Sequence, residues 1–66
     1  MDNIKTKVIH SKSKSAWNVV STTLGSKYKI ARVPYVKVEG DVVMTEIQSS
    51  EALRIANFIS ESFNKQ

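Results

Sequence analysis

The chain of 66 residues contains no cysteine, one histidine, one proline and two glycines. Without cysteine there is neither a disulfide nor a thiolate metal site. A structural zinc site draws about four ligands from Cys, His and carboxylates, and His10 alone does not begin one. No metal and no cofactor is therefore expected. Gly25 and Gly40 stand alone, so no glycine-rich loop exists to cradle a phosphate, and each reads as a turn. Long apolar runs are also missing. The uncharged stretch over residues 16–26 is rich in Ser and Thr and falls well short of the roughly 20 apolar residues that span a bilayer. The opening "MDNIKTKVIHSKSKS" has no apolar block leading to a small-residue cleavage site. The expected location is the cytoplasm.

Acidic side chains are absent from residues 10–36, where four lysines, Arg32, Trp17, Tyr28 and Tyr35 are gathered. Residues 1–37 carry eight cations against one acid, a net of +7, and residues 38–66 carry two cations against five acids, a net of −3. Such polarity steers partners more than it shapes a fold, and it points the first half toward an acidic surface. Size matters as well. A single domain of this length buries only about 60% of the surface its unfolded chain exposes, and domains this small usually recruit a disulfide, a metal or a second chain. With the first two excluded, self-association is the remaining source of stability.

The elements present read as a small α+β domain over residues 1–66: an antiparallel sheet of three to four strands with one C-terminal helix packed on one face. Residues 4–10 alternate Ile4, Thr6 and Val8 with lysines, the period of a half-wet strand, and lysines suit a sheet edge. "SKSKS" reads as a loop. Residues 16–35 form a hairpin on β-branched and aromatic content, with Gly25-Ser26 as a two-residue turn. That turn would pair Val19 with Arg32 and Trp17 with Pro34. The core face would then carry Trp17, Val19, Tyr28 and Ile30, although a one-residue slip exchanges the two faces. Residues 36–47 read either as a second hairpin turning at Gly40-Asp41 or as an irregular excursion. A helix is expected over 50–63, capped by Ser49 or Ser50, with Glu51 in its first turn. Its buried stripe would be Ala52, Ile55, Ala56, Ile59 and Phe63. Phe58 lies beside the stripe, as a shoulder of the core or as an exposed aromatic at an interface; large apolar side chains tend to bury, so the shoulder is the expectation.

Chemistry has little to work with. A nucleophile needs a base that is itself oriented by a third group, and His10, at the end of a lysine-rich strand, reads as a solvated histidine. Glu39 and Asp41 flank a turn glycine, and Glu51 and Glu61 read as helix surface. No catalytic residue is expected. Two binding readings remain. Lys12, Lys14, Lys27, Lys29 and Lys37 could line a phosphate-binding stripe, with Tyr35 and Tyr28 stacking on bases. Alternatively the edge strand and Phe58 serve a protein partner or a second copy. The protein partner is the favoured reading, because no nucleic-acid signature accompanies the charge.

The stretch "AWNVVSTTLGSKYKIARVPYV" followed by "SSEALRIANFISESFN" resembles small phage and prophage accessory proteins. These have a W-x-V strand, a hairpin and a closing E-A-x-x-x-A helix, and Trp17, Val19, Glu51, Ala52 and Ala56 match that form. The resemblance covers roughly residues 16–64. It implies a ββα core and a host- or phage-directed accessory role, and it transfers no site residue. A three-stranded sheet with a C-terminal helix is also similar, at the level of fold, to the arm-binding domains of phage integrases.

Overall fold

The computed structural model describes residues 4–65; residues 1–3 and 66, the outermost of the expected domain, lie outside them. The alternating N-terminal segment forms strand β1 (Thr6–Ser11), followed by β2 (Ala16–Ser21), β3 (Lys29–Pro34) and one long helix, α1 (Val42–Asn64). The sheet is antiparallel in the order β1-β2-β3, so the lysine-bearing β1 is an edge as its composition suggests. Three strands with one C-terminal helix packed against them make a small α+β fold.

The "SKSKS" segment closes β1 onto β2 through a single 3-10 turn, Lys12–Lys14. Ser15 then takes a left-handed φ of 50°, a conformation uncommon outside glycine. The second connection departs from the expected tight hairpin. Trp17 pairs with Val33, Val19 with Ala31 and Val20 with Lys29, with a bulge at Val19/Val20. The pairs expected from a two-residue turn are thus displaced by one residue. The cause lies in Thr22 and Thr23, which bond to the neighbouring strand rather than to β3. The Thr22 amide donates to the Lys5 carbonyl at 2.8 Å, and the Lys5 amide donates to Thr23 Oγ1 at 2.9 Å. Residues 22–28 therefore form a longer connection, in which Gly25 supplies a φ of 110° at the turn closed by the Tyr28 amide on the Gly25 carbonyl.

Helix α1 begins at Val42, eight residues ahead of its expected start, so residues 42–47 do not form the outgoing arm of a second hairpin. The β-branched run Val42, Val43 and Thr45 favours a strand by propensity, but Asp41 overrides it. Its carboxylate accepts the Met44 amide at 2.9 Å as the N-cap, the role expected of Ser49 or Ser50. Glu51 consequently lies in mid-helix. Thr45 ties the preceding loop down, its hydroxyl accepting the Val38 amide and donating to the Asp41 carbonyl at 2.9 Å, with the Val38 carbonyl a second acceptor in reach at 3.2 Å.

The helix covers the Trp17 face of the sheet. Trp17 Nε1 donates to Ser49 Oγ at 3.0 Å, and Thr6 Oγ1 lies 2.6 Å from Ser60 Oγ at the other end. By alternation and register this face carries Thr6, Val8, Trp17, Val19, Ser21, Ala31 and Val33. Trp17 and Val19 fall where expected. Tyr28 does not, being exposed in the long connection, and the register shift moves Ile30 out in favour of Ala31. On the helix the buried residues are Ala52, Ala56 and Ser60, with Ile59 and Phe63 half-buried, while Ile55 leaves the expected stripe for solvent. A straight helix of 23 residues is about 34 Å long, against about 20 Å for a six-residue strand. Its first turns therefore run beyond the sheet, held by the preceding loop through Thr45 and Val38.

Candidate functional site

Two surfaces merit comparison as sites, the basic sheet and the outer side of α1. The sheet's cations are dispersed. Lys12 and Lys14 lie on the turn between β1 and β2, and Lys37 follows β3 at the same end, where Arg32 Nη2 donates to the Lys14 carbonyl at 3.4 Å. Lys27 and Lys29 lie at the opposite end, Lys27 with its ammonium 5.6 Å from the Tyr28 ring centroid. Six-residue strands hold the two groups roughly 20 Å apart, so the fold does not assemble the five lysines into one stripe. Tyr35 is half-buried and committed. Its hydroxyl is 2.7 Å from His10 Nε2, and its amide donates to the Ser15 carbonyl.

His10 is exposed but better anchored than a solvated strand-end histidine. Its ring stacks on Trp17 with centroids 4.0 Å apart and planes 10° from parallel. The His10, Trp17 and Tyr35 group therefore braces the end of the sheet, and the Ser49 hydroxyl at its base serves as acceptor for the indole. Among the described residues no group of three or more His, Asp or Glu side chains is placed to hold a metal ion. On the sheet face turned away from α1, Asn18 is 7% exposed and its Oδ1 is enclosed without a hydrogen-bond partner among the described residues. Lys7 and Arg32 are exposed on the strands flanking it.

The outer side of α1 presents the other surface. Met44, Ile47, Ile55 and Phe58 share one side of the helix by period, Ile47 and Phe58 opposite the Ala52 and Ala56 side and Met44 and Ile55 toward its flank. The first three are between 41% and 49% exposed and Phe58 is 71% exposed. Phe58 is therefore no shoulder of the core. Among these residues lies the Glu51–Arg54 ion pair at 2.7 Å. A shallow groove of about 410 Å³ runs beside Phe58, lined by Ser50, Leu53, Arg54, Asn57 and Glu61. It holds neither a nucleophile with an oriented base nor paired carboxylates, so what this surface offers is apolar contact with one charged pair set in it.

The sequence alone does not single out Met44 and Ile47, because residues 36–47 read as a second hairpin or an irregular excursion, nor Ile55, which falls on the expected buried stripe. The usable signal was Asp41 followed by Thr45, Ser49, Ala52 and Ala56 at helical spacing, which extends the small-residue stripe backward and turns Met44, Ile47 and Phe58 outward together. No helix among the described residues is long and apolar enough to cross a membrane. Comparison with known proteins finds no matching family model, no matching curated protein and no matching solved structure.

Proposed function

We propose that this chain is a small accessory protein of the phage or prophage type that acts without catalysis, by binding a protein through the outer side of α1. One observation carries the reading: the apolar side chains that are fully buried are small, while four larger ones share an exposed side of the helix. The fully buried apolar set is Ala16, Val19, Val20, Ala52 and Ala56, while Phe58, Ile55, Ile47 and Met44 line one exposed helix face. Scattered surface leucines need no explanation, but a contiguous apolar helix face marks an interaction surface. The test is retention of a protein from nuclease-treated extract by the immobilised chain. Phe58→Glu should abolish retention, and removing Lys27 and Lys29 together should leave it unchanged. The opposite pattern overturns the reading.

Nucleic acid is the second reading. It is favoured by the charges of residues 4–37, every one of which is a lysine or Arg32. Titration with mixed DNA and RNA at low and moderate salt tests it. Phosphate contacts give a log–log salt slope of about 0.9 per neutralised phosphate, so loss of Lys27 and Lys29 should lower the slope by roughly two. Because the lysines occupy two ends of the sheet, one strand of nucleic acid would have to cross the open face past Lys7 and Arg32. Absence of amide shifts at any salt removes this reading.

A further inference from the structure

We infer that the protein bound by the outer side of α1 is a second copy of this chain, lying antiparallel across a two-fold axis that passes between Ala52 and Leu53. The inference rests on the protein-binding reading above and specifies the occupant.

The pattern of side chains along α1 is self-complementary about that one point. Ile47 and Phe58 are centred on it, and so are Glu51 and Arg54. A two-fold axis at the centre places Phe58 against Ile47 of the partner subunit and Arg54 against Glu51 of the partner subunit. Helix geometry permits this. Ile47 and Phe58 are eleven residues apart, about 16 Å and three full turns, and so project from nearly the same side.

The charges argue for orientation as well as contact. An exposed ion pair three residues apart on a helix stabilises it by only a few tenths of a kcal/mol, which gives no reason for Glu51 and Arg54 to interrupt an apolar stripe. Across the proposed axis the pair becomes a ring of two glutamates and two arginines with every neighbour of opposite sign. A parallel pairing in register would set Glu51 against its own counterpart, and like charges brought face to face suppress the wrong arrangement. The placement of the sheet agrees. It covers the Ala52 and Ala56 side of α1, opposite the stripe, so two copies meet helix to helix with their sheets outermost. The resulting sheet–helix–helix–sheet particle keeps the two strongly basic halves apart.

Sedimentation at graded concentrations, with charge-reversed variants, tests this directly. The parent chain should sediment as a dimer, while Glu51→Arg and Arg54→Glu should each raise the dissociation constant by at least about tenfold through facing like charges. Their far-UV circular dichroism should stay that of the parent, since both side chains are exposed. Mixing the two single variants in equal amounts should restore the dimer as a heterodimer, a result that an effect within one helix cannot produce. Single variants that dimerise as the parent does, or a mixture that stays monomeric, overturn the antiparallel arrangement. A parent chain that remains monomeric up to about 1 mM overturns the second copy altogether. In that event a photo-crosslinking phenylalanine analogue in place of Phe58 separates the two proposals. Attachment to a different protein leaves the protein-binding reading standing without this inference, and attachment to no protein removes both.

Discussion

The two long sides of α1 are made of different material. Toward the sheet it presents Ala52, Ala56 and Ser60, and toward solvent Met44, Ile47, Ile55 and Phe58. Small inner side chains let the helix axis approach the strands closely, so that a hydroxyl on the helix can reach a hydroxyl on β1, as Ser60 reaches Thr6. The outer side chains are too large for such an approach and are left exposed among the described residues. Hydrophobicity alone does not say which side of an amphipathic helix is inside; side-chain volume decides which side can enter a thin core.

That contrast can be broken most sharply at adjacent positions. Ala56→Asp places an unpaired charge at a site with no exposure and should cost more than about 4 kcal/mol. A domain of this size has roughly 3–10 kcal/mol of total stability, so urea denaturation followed by circular dichroism should find the variant largely unfolded. The same substitution one residue away, Ile55→Asp, should change the unfolding free energy by about 1 kcal/mol or less. Equal effects at the two positions would erase the distinction between the sides. Next in size, Trp17→Ala removes the indole that stacks on His10 and reaches Ser49, at about 3–5 kcal/mol. An unshifted spectrum of a folded Trp17→Ala chain would place the core on the other sheet face.

A smaller effect sharpens the polar end of the contact. Thr6→Val leaves the Ser60 hydroxyl without its buried partner, which should cost about 1–3 kcal/mol, read as a drop in thermal midpoint. Phe58→Glu should change least. At concentrations too dilute for association, its unfolding free energy should stay within about 0.5 kcal/mol of the parent, and a larger loss would show that the ring contributes to the monomer.

Strand alternation, the edge character of β1, the Trp17–Val19 face and the C-terminal helix were all legible, because each follows from a local period in the chain. The register of β3 was not. It depends on Thr22 and Thr23 bonding to Lys5 across the sheet, a preference that no two-residue turn motif at Gly25-Ser26 reveals. The start of α1 was misread for a related reason. Val42, Val43 and Thr45 favour strand one residue at a time, and only the cap at Asp41 and the continued stripe behind Ala52 outweigh them. The candidate site was legible only in Phe58, and there only as the less favoured of two readings, since Met44 and Ile47 turn outward together only once the helix is extended. The lysine stripe failed on topology, because antiparallel strands send successive connections to opposite ends of a sheet.

The Asn64 side chain, lastly, bears on the order in which the molecule assembles. Its carboxamide accepts the Thr6 amide at 2.8 Å and donates to the Thr6 carbonyl at 3.1 Å, so it satisfies both outward backbone groups at the start of β1 across 58 residues of sequence. The strand pairings, by contrast, join neighbours along the chain. Contacts with short loops form before those that close long ones, which puts the two hairpins first and the seating of the last helical turn at the end. A chain released up to residue 59 holds every strand but leaves the Thr6 backbone groups open, a short template for another strand to pair with. The final turn of α1 thus closes the first step of the β1 edge, making the C-terminal residues a late-acting cap on the start of the first strand.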